Sequence, residues 1–388
     1  MRIGLNLLHS HPGIGGAWNY IKNLVRAIGE YDQVNGYIAY CTDQSRCLVP
    51  NRPNFTVRQI NIDGRRRVHR ILYENTLLLA RAKADGLDCM HWFANTVAPL
   101  SSTPALVSVY DLKVFDDPGS FPLPYRVYLR TLVPPSVRRA AVVLPMSQTT
   151  ALSLTRVLGV EPSRVMVVPP TIDALFQPDE STDVEDFRRK YGLAGQFWLF
   201  VSHYYPHKNH ERLFQAHARL RSMSEGAWPL VLCGDKNGED DLLAKMARDS
   251  GIEDHVTWLP RLEHEEMPLL FSAATALVFP SLYEGGGIPV MEAMACGCPV
   301  VASDIPTTRE FAGDAALTFD PKDVDAMAAA MARMAASEDL RALQRELGFV
   351  QAAKLRPERV AATAVRAYER ACGLSALTGK NQKTPCPF

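Results

Sequence analysis

The sequence predicts an α/β protein made of two doubly wound, Rossmann-like parallel sheets. Its 388 residues are too many for one ordinary core, at about 100 to 200 residues per domain. Short apolar runs alternate with segments of helical periodicity from the first residues onward. That alternation breaks once, in a stretch rich in proline and acid, and then starts again. A hydrophobic fraction of 47% beside 22% charged residues suits a folded chain that can bury a sizeable core.

The first strand is expected over residues 2–8. A helix follows, with Ile21, Leu24, Val25 and Ile28 at the i, i+3, i+4, i+7 spacing of one buried face. Gly36–Cys41, Val57–Ile62, Cys89–Trp92, Leu106–Tyr110 and Val142–Pro145 are the next apolar runs of strand length. The break runs from Pro169-Pro170-Thr171-Ile172-Asp173 through Gln177-Pro178-Asp179-Glu180-Ser181 and reads as an interdomain connection. Strands then recur at Phe197–Ser202, Pro229–Cys233, Val256–Leu259, Ala276–Phe279, Val300–Ala302 and Leu317–Phe319, with helical segments between them. Val324–Met334 and Glu358–Cys372 have helical periodicity. The expected organisation is a first domain over 1–170, a second over 171–357, a helix over 358–373 and a flexible polar tail over 374–388.

Composition narrows the setting. The opening apolar run is too short for a secretory signal, and Met267–Tyr283, interrupted by Pro268 and Pro280, falls short of the roughly 18 to 20 residues of a spanning helix. The eight cysteines are scattered without a C-x-x-C pair, as reduced thiols in a cytoplasmic protein would be. Net charge is zero, yet residues 1–170 hold 19 Lys and Arg against 11 Asp and Glu, and residues 171–388 hold 23 against 31. The basic excess lies at Arg65-Arg66-Arg67-Val68-His69-Arg70 and from Arg126 through Arg130 to Arg138-Arg139. It fits either a solvated basic face or peripheral contact with anionic membrane or an acidic acceptor. No aromatic platform or recognition-helix pattern accompanies these arginines, which argues against a nucleic-acid partner.

In open parallel sheets ligands bind beyond the carboxyl ends of strands. The richest such loop follows Phe279: Pro280-Ser281-Leu282-Tyr283-Glu284-Gly285-Gly286-Gly287-Ile288-Pro289-Val290-Met291-Glu292. Pro289 suits a first helical turn and Gly297 the residue past its end, so a short helix is expected over Pro289–Cys296. Three glycines before a helix N-terminus make an anion site, where free amides and the positive dipole end can hold a diphosphate. Glu284 and Glu292 flank the turn, able either to grip vicinal hydroxyls of a sugar and a ribose or to serve as capping and surface acids.

The stretch Phe279–Ser303 resembles the E-x7-E donor-site signature of glycosyltransferase family 4, within the group 1 glycosyl transferases. The resemblance implies the GT-B fold, two Rossmann-like domains facing each other across a deep cleft. It also implies retaining transfer of a sugar from a GDP- or UDP-sugar to a hydroxyl of a saccharide or lipid-linked saccharide. No cofactor beyond that nucleotide-sugar co-substrate, and no catalytic metal, is implied. By the same resemblance Glu292 binds the donor ribose, Glu284 contacts the donor sugar, and Gly285, Gly286, Gly287 and Ile288 line the donor. Gly286 stands where the family commonly has an aromatic residue.

Phe200–His210 is similar to the family's G-R-x-x-x-x-K-N loop, with Lys208 as the lysine that neutralises the diphosphate and His203 in place of an arginine. The contact at His203 is then weaker, made by a protonated histidine, or supplied elsewhere. His203, His207 and His210 also invite a metal reading, which the resemblance disfavours. Gly15 and Gly16 resemble the family's glycine loop facing the donor. Ser108–Leu112 resembles a strand ending in His-Asp-Leu, with Tyr110 in place of the histidine and Asp111 as a sugar- or acceptor-side residue or a turn cap. His91 and Trp92 either line the acceptor pocket or belong to the core. Smaller echoes at Pro145–Ser147, Val168–Asp173, Leu232–Asp235 and Leu259–Leu262 extend the likeness over Met1–Cys372, with Thr171 replacing a frequent glycine. The implied setting is bacterial surface polysaccharide assembly at the inner face of the plasma membrane, with an N-terminal acceptor domain and a C-terminal donor domain. Two other readings share the fold: a nucleotide-sugar epimerase, and a non-catalytic sugar-nucleotide-binding scaffold.

Overall fold

The computed structural model describes residues 1–179, 181–223 and 228–373, so the tail expected over 374–388 lies outside the described residues. The chain divides into two compact units, Met1–Thr171 with the residues from Leu355 on, and Ile172–Lys354. Thr171 stays with the first because its Oγ1 donates to the Leu355 carbonyl (3.0 Å) and its own carbonyl accepts from Asn23 Nδ2 (3.1 Å).

In the first unit the elements are β1 (Arg2–Asn6), α1 (Gly16–Tyr31), β2 (Gly36–Cys41), β3 (Phe55–Gln59), α2 (Arg67–Glu74), α3 (Leu77–Ala84), β4 (Cys89–Trp92), β5 (Ala105–Val109), α4 (Lys113–Asp116), α5 (Leu123–Arg139), β6 (Val142–Pro145) and α6 (Gln148–Leu158). The strands are parallel in the order β3-β2-β1-β4-β5-β6. Both faces of the sheet are covered, and the two-residue period of a strand distributes the side chains. Tyr37, Ala39 and Cys41 point into one core layer with Ile21, Leu24, Val25 and Ile28 of α1, while Ile38 and Tyr40 point into the other with Leu129, Val133 and Val137 of α5.

The second unit holds α7 (Thr182–Tyr191), β7 (Trp198–Val201), α8 (His210–Arg221), β8 (Leu230–Cys233), α9 (Asp240–Asp249), β9 (Val256–Trp258), α10 (Met267–Ala273), β10 (Ala276–Phe279), α11 (Ile288–Ala295), β11 (Val300–Ser303), α12 (Pro306–Ala312), β12 (Ala316–Phe319), α13 (Val324–Ala336) and α14 (Glu338–Ala352). Its sheet is again parallel, in the order β12-β11-β10-β7-β8-β9. Trp198, Leu199, Phe200, Leu277, Val278 and Phe279 are fully buried, as central strands of a two-sided sheet require.

The final helix, α15 (Pro357–Ala371), belongs to the first unit. Its Val360, Ala361, Ala364 and Tyr368 pack into the α1 side of that core. His91, offered by the sequence as either pocket or core, is core: Nε2 meets Ser108 Oγ at 2.8 Å and Nδ1 meets Tyr368 Oη at 3.0 Å. Burial pulls its pKa from 6.5 down to about 3, so the ring is neutral and its two nitrogens split into one donor and one acceptor. The third strand begins two residues earlier than expected and stops at Gln59, because the ladder to β2 runs from Tyr37↔Phe55 to Cys41↔Gln59 and ends where β2 ends.

Candidate functional site

A doubly wound sheet opens a crevice where the strand order reverses. In the second unit that point lies between β7 and β10, adjacent in the sheet but distant in sequence. The loops leaving their carboxyl ends carry Lys208 on one side and Glu284 with the three glycines on the other.

The two loops are bonded to each other. After β7 the chain turns through Pro206–Lys208 and enters α8 at Asn209, which holds φ = 65°, a left-handed conformation that asparagine tolerates better than most residues. Buried Asn209 donates through Nδ2 to the carbonyls of Pro280 (3.0 Å) and Pro321 (2.8 Å), and Leu282 N donates to the His207 carbonyl (2.8 Å). Within this frame Lys208 Nζ lies 2.6 Å from Glu284 Oε1, with the side chains 16% and 11% exposed. Nζ also sits 5.4 Å from the centre of the Phe279 ring. The backbone of Glu284 is fixed as well, its carbonyl accepting from Thr307 Oγ1 (2.7 Å).

Gly285, Gly286 and Gly287 follow. Gly287 caps α11 at φ = 57°, where a β-carbon would be strained by conformation alone. The helix starts at Ile288, one residue earlier than the sequence suggests, with Pro289 in its first turn. Glu292 lies one turn in and is buried, 7% exposed. The structure thus places Lys208, Glu284, Gly285, Gly286 and Gly287 on two bonded loops at one sheet edge, with Ile288 and Glu292 in the helix α11 that follows the second loop. A cation, a set of helix-start amides and two carboxylates can there meet a diphosphate and hydroxyl-bearing groups.

His203 lies at the foot of the β7 loop and is exposed. Its Nδ1 accepts from Asp235 N (2.9 Å), which leaves Nε2 as the protonated nitrogen. Desolvation lowers its pKa, and the charges of Lys208 and Arg261 add to that, against the opposite pull of Asp235. A histidine held below its ordinary 6.5 is neutral near pH 7, so the protonated contact weighed from the sequence is not the resting state. The neighbouring turn requires glycine: Gly234 has φ = 147°, and a β-carbon there would stand 2.0 Å from the Ser202 carbonyl oxygen. His210 is buried against Phe200, with its pKa lowered to about 4 by desolvation, and His207 stacks on Tyr205. Among the described residues no group of three or more His, Cys, Asp or Glu side chains is placed to hold a metal ion.

In the first unit the order reverses between β1 and β4. Gly15, at φ = 61° and ψ = −130°, closes the turn Pro12–Ile14 and caps α1, which begins at Gly16. Asp111 follows β5, where its Oδ1 accepts from Lys113 N (2.9 Å). Gly15, Gly16 and Asp111 therefore sit at the carboxyl edge of their own sheet, apart in the chain's organisation from the seven residues above. Sequence reasoning gave no role to Asn209, Gly234 or Thr307. The Lys-Asn pair and the Cys-Gly-Asp step are the local signals for the first two, and nothing local marks Thr307.

Two parallel six-stranded sheets, with a glycine turn, a lysine and paired glutamates at a switch point, define a protein of two doubly wound units with a candidate anion site in the second. Residues 183–348 match the family Glycosyl transferases group 1. The chain is 28% identical to O-antigen chain mannosyltransferase B of Escherichia coli over 291 residues, 75% of this chain and 76% of that protein. It is 31% identical to O-antigen chain mannosyltransferase RfbU of Salmonella typhimurium over 217 residues, 56% of this chain and 57% of that one. Among solved structures, sucrose-phosphate synthase from Thermosynechococcus elongatus superposes with a TM-score of 0.80 at 20% identity, covering 97% of this chain and all of that one. WaaG, a glycosyltransferase of lipopolysaccharide biosynthesis, gives 0.71 at 16% identity with the same coverage, and Anabaena HepE in complex with UDP gives 0.73 at 18%, covering 94% of this chain and 98% of that one. Residues 183–348 thus form a Glycosyl transferases group 1 domain, and the chain as a whole has the GT-B fold.

Proposed function

We propose that this glycosyltransferase is a retaining, metal-independent enzyme of the family 4 type. It moves a sugar from a GDP- or UDP-sugar to a hydroxyl of a saccharide or lipid-linked saccharide in bacterial surface polysaccharide assembly. The O-antigen mannosyltransferase relatives favour mannose as the sugar. The second unit, with Lys208 and the glycine turn that opens α11, holds the donor, and the first unit presents the acceptor, with Asp111 on that side and Gly15 and Gly16 as donor-binding residues. The setting is the cytoplasmic face of the membrane, where a lipid-linked acceptor would lie.

One observation carries this reading most: the Lys208–Glu284 ion pair beside the glycine turn that opens α11. As the bond from the anomeric carbon to the diphosphate breaks, negative charge grows on the phosphate oxygens. Lys208, with three N–H donors on one nitrogen, can keep Glu284 and still donate to a phosphate, and the amides at the start of α11 face the same charge. The acceptor hydroxyl attacks on the face the diphosphate leaves. Its oxygen bonds the anomeric carbon, and its proton passes to a donor phosphate oxygen. Glu284 orients the donor sugar, and Glu292 accepts from the ribose hydroxyls.

Calorimetric titration of the protein and its Glu292→Ala variant with GDP and UDP tests the reading. One nucleotide is expected to bind at micromolar concentration, and the substitution to weaken it by roughly 1–3 kcal/mol, the cost of stranding buried polar partners. Binding of neither, or equal binding by the variant, rejects the donor site.

A further inference from the structure

We propose that Cys89 and Cys372 form a peroxide-responsive thiol pair in the first unit, in which Cys372 is oxidised first and Cys89 then closes a disulfide that fastens α15 to β4. The pair lies in the core layer beside α15 and uses none of the residues assigned to transfer.

The contact follows from the way α15 lies on the sheet. β4 alternates its side chains, sending Cys89 into the core layer that holds α15 and Met90 and Trp92 into the opposite one. His91, two residues on, points the same way as Cys89 and meets Tyr368 Oη at 3.0 Å. One step back along this strand face, from His91 to Cys89, covers about 6–7 Å, and one turn onward along α15, from Tyr368 to Cys372, covers about 6 Å. The two steps match in length, so the register that sets Tyr368 on His91 also sets Cys372 on Cys89. Cys372 packs against the same core layer, and a side-chain hydrogen bond joins the two thiols, both of them free.

The two sulfurs are not equivalent. Cys89 is fully buried, and Cys372 is half-buried at the end of its helix. Donation from the Cys89 thiol pulls Cys372 below its ordinary pKa, with the N-terminal ammonium on the same side, against desolvation and the charge of Asp88. The same bond, and burial after it, holds Cys89 well above its own. Thiolate is the reactive form, so a small oxidant attacks Cys372 and not Cys89. The Cys372 sulfur bonds one oxygen of hydrogen peroxide, the O–O bond breaks, hydroxide leaves and takes up a proton as water, and Cys372 becomes a sulfenic acid. Cys89 then attacks that sulfur, its S–H proton leaves with the hydroxyl as water, and the S–S bond forms. Two thiols and one peroxide thus give one disulfide and two waters. Thiols already in contact have only to close to about 2 Å. Cys372 caps α15 and Gly373 follows it at φ = 73°, so the approach shifts a helix end and leaves the central strand in place. The bridge joins residues far apart in the chain, the case in which a cross-link restrains the unfolded chain most.

Hydrogen peroxide applied to the full chain in slight excess, with the remaining thiols then blocked and the peptides mapped by mass, tests this. A fragment joining Cys89 to Cys372 should be the first product, and dithiothreitol should remove it. The oxidised protein should melt about 5–10 °C higher than the reduced one. Cys372→Ser should leave Cys89 reduced at the same dose and abolish the rise in Tm. In Cys89→Ala, Cys372 should stop at the sulfenic acid, which a dimedone probe captures, and pass with more peroxide to the sulfinic acid. If the loss of a buried side chain makes Cys89→Ala unstable, Cys372→Ser, altered only at the half-buried helix end, carries the comparison. Oxidation of exposed Cys47 before any bridge between Cys89 and Cys372 overturns the inference. So does a bridge from Cys372 to any other cysteine, oxidation of Cys89 in Cys372→Ser, or a bridge that leaves Tm unchanged.

Discussion

Removing the charge of Lys208 is the sharpest perturbation the proposed donor site offers, because two effects of different size follow from one geometry. Lys208 and Glu284 are 2.6 Å apart and mostly buried, 16% and 11% exposed. Exposed ion pairs contribute about 0–1 kcal/mol, and breaking a buried one costs about 3–5 kcal/mol. A pair at this depth lies between, so Lys208→Met should destabilise the second unit by about 2 kcal/mol, roughly 4–8 °C in Tm for a domain of this size. Glu284→Gln should do the same by stranding the lysine. The double substitution strands neither charge, so it should lose less than either single variant, about 1 kcal/mol against a sum of about 4 kcal/mol. Turnover should behave differently. If Lys208 meets developing phosphate charge, kcat falls by about a hundred- to a thousandfold in Lys208→Met, and the double variant, though more stable, recovers none of it. Melting curves and a sugar-transfer assay on the three variants supply both readings. Turnover restored together with stability in the double variant would mean that neither charge takes part in transfer, and the mechanistic assignment would fail.

Two further outcomes follow from positions away from that pair. Gly234→Ala sets a β-carbon 2.0 Å from the Ser202 oxygen at φ = 147°, so it should cost about 3 kcal/mol or more in urea unfolding and loosen the amide that His203 accepts; a variant as stable as its parent refutes this account of the turn. For His91 the folded pKa of about 3 lies below the unfolded value of 6.5, so the unfolded chain takes up the proton first as pH falls. Its contribution is complete above 6.5 and is lost progressively between 6.5 and about 3. Near pH 5 that loss amounts to about 2 kcal/mol, so the stability advantage of the protein over His91→Gln should shrink by that amount between pH 7.5 and 5, and an advantage that ignores pH would refute the buried neutral ring.

What was legible in the sequence is what is local. The turn into α11 could be read because glycines, a proline and two glutamates lie within one short stretch, and each strand of the second sheet announces itself as an apolar run. The partners that hold the site were not legible. Asn209 binds carbonyls 71 and 112 residues away, and His91 meets Tyr368 at a separation of 277. α5 escaped for a different reason: Pro134 and Pro135 lie inside it and each removes an amide donor, which reads as a helix end. The helix persists because Leu129 and Val133 before the prolines and Val137 after them share one buried face against the sheet. β3 was displaced because Ile60 and Ile62 drew the apolar pattern onward, although Ile60 only closes the ladder, its amide donating to the Cys41 carbonyl at 2.8 Å.

The departures from the family pattern bear on whether catalysis has been lost. Decay without selection would leave such positions with no structural partner. Tyr110 instead donates its hydroxyl to the Phe93 carbonyl and meets Tyr20 edge to face at 5.6 Å. Thr171 donates to the Leu355 carbonyl, closing the point where the chain returns to the first unit, and a glycine there could not make that bond. His203 accepts the Asp235 amide and so ties the ends of β7 and β8 together, a role that an arginine, having no acceptor, could not fill. Three of the four departures thus act as joints of the scaffold. Gly286 is the exception, since it removes a side chain beside the donor loop and puts nothing in its place. On the proposed reading, a difference in activity from the family pattern is therefore expected in how the donor sugar is packed, which selects among sugars, rather than in the steps assigned to Lys208, Glu284 and Glu292.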